Sequence, residues 1–463
     1  MKPAKKVLFL LIISVASFIF LPWIRHAFGD ANYPPLDQTV RWIYLAVFAV
    51  SFLLFGSLLF LERRSGAAAV SFRKKLLLAA LIGALLVTVA PVFSIDFHCY
   101  TMQGRVMSMH HQNPYVAAPD AFSGDPFAAG IFWTHRVAFY GPFWILISVI
   151  MTFFAQNSVF LNLILLKLPL YLGYLLLVHQ GYSICAKIAP EKKHIVASFL
   201  AFNPFILLQY LVDGHNDILM AALAVWAVNL VYERRYIPGY AVFTLSVLVK
   251  YMTAMLAPFL LLMAFDRLDR KTRIYGNVLV FAAVFITVTV LAYMPFMGSG
   301  PGFFRDLASH KLFFGAGGVD SNTLPYAVLF VSQKIGFLKG MNIFHPPGYV
   351  TGVFHLLFLV CGVSIFMWAL AAKDRTAGFF SAVSLVFIAY FALEGFSMGA
   401  WFLVWLLPFL VLSGIRRNLT LAFLLSVAGA LSFWKRLSFL LTACVFIYLL
   451  ILILPRRQRP VTA

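Results

Sequence analysis

Four of the sixteen carboxylates have sequence surroundings that suggest chemistry. Asp96, Asp213, Asp217 and Glu394 each stand at the end of an apolar segment, where a charge costs free energy unless a partner or a function compensates. Six others lie among basic residues in short polar breaks and are expected to be solvated counter-charges: Glu62, Glu191, Glu233, Asp266, Asp269 and Asp374. The same interpretation is expected for six in longer loops: Asp30, Asp37, Asp120, Asp125, Asp306 and Asp320.

Asp96 is expected to end an apolar span and to begin a polar segment. His98 and Tyr100 follow it within about one helical turn, and Arg105 comes nine residues after Asp96. A carboxylate accepts hydrogen bonds from sugar hydroxyls, and a guanidinium offers a planar fork to phosphate. The segment therefore predicts a site for an anionic, hydroxyl-rich ligand, although Asp96 alone is equally well explained as a helix-end residue.

The sequence Tyr140-Gly-Pro-Phe-Trp144 predicts the start of a short helix. Proline at the first helical position has its φ already set and loses no needed N–H, so a helix over 142–154 is expected. It is too short to cross a bilayer and is expected at the outer interface. Tyr140 is a candidate ligand contact, whereas Trp144 is more simply an aromatic residue of the membrane interface.

Polar residues are concentrated in Asp213-Gly-His-Asn-Asp217, directly before an apolar run. Asp213 or Asn216 is expected to cap the following helix. A cap explains one polar side chain only, so His215, Asn216 and Asp217 favour a binding site. Their spacing disfavours a helical metal pair, because His215 and Asp217 would lie on opposing sides of a helix.

Lys250 is flanked by apolar segments on both sides, far from any basic break. A lysine in such a position must reach the interface, pair with a carboxylate or contact an anion. It is expected to mark the turn between two helical segments near the outer rim of the membrane. A phosphate group and a pairing with Asp213 or Asp217 are both open interpretations, and both can hold in different states.

The composition places these residues in a membrane protein. Of 463 residues, 62% are hydrophobic and 11% are charged, with a mean hydropathy of +0.91. This excludes a cytosolic enzyme, a secreted disulfide scaffold and a disordered protein. About fourteen apolar runs of roughly 17 to 25 residues recur along the chain, the first over 7–27 and expected to be a retained helix. They predict an all-α polytopic bundle of about 12–14 transmembrane helices, with interfacial helices on the outer face.

The net charge of +20 is explained by topology. Lys and Arg come in twos and threes in short breaks, which the positive-inside rule places in the cytoplasm together with both termini. A nucleic-acid partner is disfavoured, because no basic patch is interleaved with exposed aromatic residues. Two long outer segments interrupt the pattern, which predicts five parts: helices over 1–93, an outer catalytic loop over 94–157, core helices over 158–296, a second outer loop over 297–348 and helices over 349–463.

Several of these motifs together resemble a known family. They are Asp96 with Tyr100 and Gly104-Arg105, Asn113-Pro-Tyr115, Tyr140-Gly-Pro-Phe-Trp144, Asn203-Pro204, His215-Asn-Asp-Ile-Leu-Met220, Lys250 and Trp401-Phe-Leu-Val-Trp405-Leu-Leu-Pro408. The chain resembles the GT-C superfamily of integral-membrane glycosyltransferases, and within it the actinobacterial polyprenol-phosphate-mannose-dependent α-1,6-mannosyltransferases. The resemblance covers about residues 91–412. It implies a polyprenyl-phosphate sugar as donor, a glycan or lipid-linked acceptor, and a site at the outer face of the plasma membrane.

The resemblance implies that Asp96 is the catalytic base of an inverting transfer. We expect Arg105 and Lys250 to bind the donor phosphate, and no metal or other cofactor to be needed, because the leaving group departs as an anion. The residues expected to contact the sugar or the acceptor are His98, Tyr100, Tyr140, His215, Asn216 and Asp217. A transporter or flippase for a phosphorylated lipid or sugar, using Lys250, Asp217 and Glu394, is the alternative, followed by a non-catalytic scaffold.

Overall fold

The computed structural model describes residues 3–27, 38–66, 68–128, 133–265, 271–299, 324–337, 340–342, 346–372, 375–394, 399–413 and 416–431. Within these ranges the chain forms helices and connecting turns, and no residue of them lies in a β-strand. The predicted all-α class is therefore confirmed. Several carboxylates that were expected to be solvated lie outside the described residues: Asp30, Asp37, Asp266, Asp269, Asp306, Asp320 and Asp374.

The α-helices follow one another along the chain as α1 Pro3–Ala16, α2 Leu21–Ala27, α3 Gln38–Ser65, α4 Phe72–Leu86, α5 Asp96–Ser108, α6 Pro142–Ala155, α7 Val159–Ile188, α8 Lys193–Phe202, α9 Pro204–Ile206, α10 Asp217–Tyr232, α11 Tyr236–Val249, α12 Ala257–Phe265, α13 Lys271–Tyr293, α14 Leu324–Lys334, α15 Gly348–Ala371, α16 Arg375–Leu393, α17 Leu407–Leu412 and α18 Arg416–Leu431. Short 3-10 helices lie at Ser17–Phe20, Pro119–Phe122, Tyr251–Leu256, Met294–Ser299 and Ala400–Trp405, and a π-helical segment lies at Leu207–Val212.

Six helical stretches are long and apolar enough to cross a membrane: Pro3–Ile24, Thr39–Ser65, Val159–Ile188, Lys193–Val212, Ile274–Gly298 and Gly348–Ala371. Seven shorter apolar helices of 10–17 residues accompany them, among them α6, α10 and α11. Apolar side chains on the outward faces of α13 and α15, such as Leu279 and Leu359, are exposed, as expected for helices that face lipid. The predicted helical membrane bundle is therefore confirmed, while the total number of spans and the five-part division stay predictions.

Helix α10 lies at the centre of the bundle. Nearly all of its side chains are buried, and it packs against α7, α11 and α12. A helix that is apolar on every side must be surrounded by other helices, which explains this central position. Its first residue, Asp217, is thereby placed inside the protein.

The segment 94–157 contains short helices, as predicted, but Asp96 does not end a span. Helix α4 ends at Leu86, and Asp96 begins α5, where the Ser94 hydroxyl accepts a hydrogen bond from the Asp96 N–H at 3.1 Å. Helix α6 begins at Pro142, as the motif predicts. The prediction for Trp144 is wrong, because its side chain is fully buried against Tyr100 and does not lie at an exposed interface.

Two carboxylates that were expected to be solvated are buried. Glu62 accepts hydrogen bonds from Lys75 at 2.8 Å and Ser198 at 2.7 Å, and Asp125 accepts from Arg105 at 2.9 Å. In each case the cation belongs to a different helix or loop. The sequence alone therefore shows the charges but not their pairing, and burial of an ion requires such a partner.

Four non-helical or 3-10 segments converge at one end of α10. They are the turn that leads into Asp96, the loop 213–216, the break at Lys250 and the 3-10 helix Ala400–Trp405. The side chains that were singled out for their chemistry lie mainly on these segments.

Candidate functional site

An ion pair between Asp217 and Lys250 lies at the start of α10. The Lys250 Nζ donates to Asp217 Oδ1 at 2.7 Å, and the Trp405 indole N–H donates to the same oxygen at 2.6 Å. The Asp217 side chain is completely buried, and 15% of the Lys250 side chain is exposed. The lysine therefore pairs with a fully buried carboxylate while part of its own side chain remains accessible.

Lys250 interrupts the helical path, as predicted. Helix α11 ends at Val249, and Lys250 has an extended backbone with φ −155° and ψ 121° before the next 3-10 helix begins. Its ammonium lies 4.4 Å from the ring centroid of Phe402, 5.3 Å from that of Trp405 and 5.8 Å from that of Tyr140. Aromatic faces stabilise a cation that has lost part of its hydration. The ammonium is thus held by one carboxylate and by aromatic faces.

Close approach of α6 to the end of α11 helps to enclose Lys250. The Gly141 N–H donates to the Val249 carbonyl at 3.3 Å. A Cβ atom at position 141 would lie 2.0 Å from the Leu248 carbonyl oxygen. Only glycine permits this approach, which places Tyr140 beside Lys250.

Asp96 and His215 meet beside this ion pair. The His215 Nδ1 lies 3.5 Å from Asp96 Oδ2, and the imidazole stacks on the Trp401 indole with ring centroids 4.3 Å apart and planes 9° apart. His215 is buried, whereas 16% of the Asp96 side chain is exposed. Because His215 is two residues before Asp217, the Asp96 carboxylate and the Lys250 ammonium flank the same short segment.

Tyr100 extends this group on the Asp96 side of α5. Four residues separate the two side chains along the helix, so they share a face. The Tyr100 hydroxyl donates to the Asn216 side-chain oxygen at 3.4 Å, and its ring packs edge-on against Tyr140 and Trp144. Tyr100, Tyr140, Asn216 and Asp217 were all predicted to belong to the site, and the structure brings them together with His215.

Several buried polar atoms in this group have no hydrogen-bond partner among the described residues. They are both ring nitrogens of His215, the Asn216 Nδ2, the Asp217 Oδ2 and the Trp144 Nε1. Buried polar groups are normally satisfied, so a cluster of unsatisfied ones needs an explanation. Unpartnered donors and acceptors so close together along the chain as those of His215, Asn216 and Asp217 match a ligand that offers several hydrogen-bonding oxygens.

Comparison with known proteins decides the family. A family model described as alpha-(1->6)-mannopyranosyltransferase, N-terminal domain, matches residues 11–266, more than half of the chain. The chain belongs to the alpha-(1->6)-mannopyranosyltransferase family. The similarity to α-1,6-mannosyltransferases that the motifs suggested is thereby confirmed.

Two relatives carry the name alpha-(1->6)-mannopyranosyltransferase A. The one from Mycobacterium tuberculosis is 24% identical over 389 residues, which are 81% of this chain and 70% of that protein. The one from Corynebacterium glutamicum is 25% identical over 242 residues, which are 50% of this chain and 47% of that protein. The match thus spans about half the length of the second relative.

The range matched by the mannopyranosyltransferase family contains Asp96, His215, Asp217 and Lys250. It ends before the 3-10 helix Ala400–Trp405, which supplies the aromatic residues of the site. Trp401 and Trp405 belong to one of the motifs that carry the resemblance, but no role was predicted for either side chain. Only the folded chain shows that this distant segment covers Lys250 and His215.

Arg105 and His98 are not part of this cluster. The Arg105 guanidinium is buried and donates to Asp125 at 2.9 Å, to the Gln156 carbonyl at 2.5 Å and to the Asn157 side chain at 2.9 Å. Nine helical residues rotate a side chain by about 180° and move it about 13 Å along the axis, so Arg105 points away from Asp96. The prediction that Arg105 reaches the donor phosphate together with Lys250 is therefore corrected.

His98 is displaced for the same reason. It follows Asp96 by two residues, which places it about 200° around α5. Its ring makes no hydrogen bond within the described part of the chain, and the described contact is with the neighbouring Phe97 ring. His98 was predicted to contact the sugar or the acceptor because it is close to Asp96 in the sequence. The helical rotation between the two residues places its side chain on a different face of α5.

Asp213 does not cap α10, and Asn216, which occupies the N-cap position, makes no side-chain cap either. The Asp213 carboxylate accepts hydrogen bonds from the backbone N–H groups of Val92 and Phe93 instead. Glu394 is also separate from the site, since it pairs with His355 at 2.6 Å.

Lys167, which is completely buried within α7, was not among the residues predicted from the sequence. It stands alone in an apolar run, the same signal that identified Lys250. For a metal, the described residues contain no group of three or more His, Cys, Asp or Glu side chains that could hold one.

Proposed function

We propose that this protein is an inverting mannosyltransferase that moves mannose from a polyprenyl phosphate to a glycan or lipid-linked acceptor. The observation that carries the proposal is the convergence of Asp96, His215, Asp217 and Lys250 around unsatisfied polar atoms at one end of α10. The family and the names of the two relatives described above support α-1,6-mannosyl transfer.

Lys250 binds the donor phosphate in this proposal. A polyprenyl phosphate leaves as an anion, so a fixed cation that matches its growing charge lowers the barrier. Without donor, Asp217 is the counter-ion of Lys250 at 2.7 Å. The phosphate competes with Asp217 for the ammonium, and the rings of Phe402 and Trp405 keep the ammonium in place during the exchange.

Asp96 is the general base. Its carboxylate takes the proton of the acceptor hydroxyl while that oxygen attacks the anomeric carbon of the donor. The bond between the anomeric carbon and the phosphate oxygen breaks, and its electron pair leaves with the polyprenyl phosphate. A single displacement inverts the anomeric centre, so a β-linked donor gives an α-linked product.

The unsatisfied polar atoms bind the sugar. His215, held flat against Trp401, and the amide of Asn216 offer hydrogen bonds to hydroxyl groups. The free Asp217 Oδ2 accepts from a further hydroxyl, and Tyr100 orients Asn216. Because His215 contacts Asp96 and Asp217 contacts Lys250, the proposal places the anomeric carbon near both the base and the phosphate-binding cation.

We place the site at the outer face of the plasma membrane, with both termini in the cytoplasm. Helices α10 and α11 are joined by the segment Glu233-Arg-Arg235, whereas Asp217 and Lys250 stand at their far ends. A helix of 16 residues is about 24 Å long, so the basic segment and the site lie on opposite sides of the bundle. Short basic segments remain in the cytoplasm, which puts the site outside.

The test uses purified protein in lipid vesicles with radiolabelled polyprenyl-phosphate mannose and an α-mannan acceptor. Label that passes to the acceptor with an α linkage supports the proposal. Label that crosses the vesicle membrane without transfer to the acceptor supports the alternative transporter and overturns the proposed mannosyltransferase. Asp96→Asn is the matched control, because it changes one oxygen to an NH₂ group and preserves the shape of the side chain.

A further inference from the structure

Two buried ionisable residues behind the site have no role in the proposed reaction. Lys167 lies within α7, which is long and apolar enough to cross a membrane, and Asp213 follows the π-helical segment. Both side chains are completely buried. Ionisable groups at such depth are costly and usually mark a function.

Asp213 binds the turn that leads into Asp96. Its Oδ1 accepts hydrogen bonds from the N–H groups of Val92 at 2.8 Å and Phe93 at 2.9 Å. Phe93 is three residues before Asp96, and Asp213 is two residues before His215. One carboxylate oxygen thus joins the two chain segments that carry the proposed base and its neighbour.

Lys167 joins the same two segments from the other side. Its ammonium donates to the carbonyl of Val89, in the turn before Asp96, and to the carbonyl of Val212, directly before Asp213. It also lies 5.8 Å from the ring centroid of Phe97, the residue that follows Asp96. A single cation therefore links both backbones to α7.

Gly214 completes this contact. It has a φ of +79°, which L side chains rarely adopt, and a Cβ at this position would lie 2.9 Å from the Phe97 ring. Phe97 therefore packs directly on the backbone between Asp213 and His215. The start of α5 and the loop 213–216 are thus held together by three contacts: the hydrogen bonds of Asp213, the hydrogen bonds of Lys167 and the packing of Phe97 on Gly214.

We propose that Lys167 and Asp213 are positioning residues, which hold the Asp96 carboxylate in reach of His215 and the substrate. The inference rests on the proposed role of Asp96 as base. It goes beyond that role, because it assigns the positioning of Asp96 to Lys167 and Asp213. Neither of these two residues contacts the substrate or a reacting atom in the proposed reaction.

The first experiment separates positioning from simple stability. Asp213→Ala removes the acceptor for both N–H groups, whereas Asp213→Asn keeps an oxygen that can accept them. Since a misplacement of about 1 Å can cost about 100-fold in rate, we expect Asp213→Ala to lower kcat by at least roughly tenfold with donor KM nearly unchanged. Asp213→Asn should retain most of kcat.

A matched control comes from a second buried lysine. Lys75 binds Glu62 at 2.8 Å and is as completely buried as Lys167, but its partners lie in α3 and α8. Lys167→Met and Lys75→Met should both lower the thermal unfolding temperature. Only Lys167→Met should also lower kcat of the folded protein.

The second experiment measures position without activity. Asp96→Cys and His215→Cys are combined in a chain that lacks the four natural cysteines, Cys99, Cys185, Cys361 and Cys444. A short bifunctional thiol reagent should cross-link positions 96 and 215, because the two side chains that the cysteines replace approach to 3.5 Å. Adding Asp213→Ala should slow the cross-linking several-fold, and adding Asp213→Asn should not.

The inference is overturned if Asp213→Ala leaves both kcat and cross-linking unchanged, or if Lys167→Met and Lys75→Met affect kcat equally. Failure of the proposed function has a different signature. In that case Asp96→Asn retains the wild-type rate, while the cross-linking result still shows whether Lys167 and Asp213 hold the two segments together.

Discussion

The carboxylate of Asp217 accepts hydrogen bonds from Lys250 and Trp405 through one oxygen, Oδ1, and leaves the other, Oδ2, unpaired in a buried position. One residue thus neutralises a cation and offers an acceptor to a ligand at the same time. The arrangement makes Lys250 available to an anion, because it has a single carboxylate partner among the described residues and a partly exposed side chain.

Asp96→Asn should abolish turnover. An amide cannot take the proton of the acceptor hydroxyl, and a general base typically contributes a factor of about 10² to 10⁴ in rate. The donor KM and the unfolding temperature should remain close to those of the wild type. Radiolabel transfer measures turnover and the donor KM, and thermal unfolding measures the unfolding temperature. Asp120→Asn, at an exposed position, is the control and should retain full activity.

Lys250→Met should weaken donor binding and destabilise the fold. It leaves the buried Asp217 charge without its cation, and breaking a buried pair typically costs about 3–5 kcal/mol. Combining it with Asp217→Asn removes the unpaired charge, so much of the stability should return while donor binding stays weak. Recovery of wild-type donor affinity in the double variant would show that the phosphate binds elsewhere.

Gly141→Ala should separate α6 from the end of α11. The added Cβ would lie 2.0 Å from the Leu248 carbonyl oxygen, so Tyr140 and Lys250 must move apart. We expect lower activity and a lower unfolding temperature. Gly124→Ala is the matched control, since nothing lies within 4 Å of its Cβ position. Equal behaviour of the two variants would contradict the importance of this close approach.

Arg105 and Asp125 should matter for stability and not for donor affinity. Arg105→Gln is expected to lower the unfolding temperature with the donor KM unchanged. Although burial raises the pKa of Asp125, hydrogen bonds from the Phe127 N–H and His110 together with Arg105 hold it below its usual range. An increase in donor KM without loss of stability would return Arg105 to the phosphate site.

The depressed pKa of Asp125 also predicts a pH dependence. A carboxyl whose pKa is lower in the folded state stabilises the protein fully above the ordinary value of about 3.9. This stabilisation is lost as the pH falls through the folded-state pKa. Below about pH 4 the unfolding temperature of the wild type should fall more steeply than that of Asp125→Asn. Parallel curves would contradict the prediction.

Activity should survive excess EDTA. The leaving phosphate is anionic without a metal, and Lys250 supplies the positive charge that stabilises it. The rate of radiolabel transfer before and after chelation, followed by addition of Mg²⁺ or Mn²⁺, is the measurement. Loss of activity that returns with metal would show that a divalent ion takes part.

The helical membrane class could be predicted from the sequence, and so could several residues that the structure brings together, because rare polar residues in apolar segments are conspicuous. His215, Asp217 and the helix break at Lys250 were predicted in this way, and Tyr100 was predicted as a neighbour of Asp96. Arg105 was misplaced because sequence distance ignores rotation around α5.

The partners of buried charges could not be predicted. Glu62 and Lys75 lie in neighbouring segments, but Ser198, which binds both, is more than a hundred residues away. Trp405 reaches Asp217 from 188 residues further along the chain. Such contacts depend on tertiary packing, which no local pattern specifies.

Helices α10 and α11 have 16 and 14 residues, and their paired ends carry Asp217 and Lys250. The lengths of the two helices therefore determine where Asp217 and Lys250 lie relative to each other. One inserted residue in either helix would turn its terminal side chain by about 100° and shift it about 1.5 Å. An insertion or a deletion in either helix should consequently separate Asp217 from Lys250.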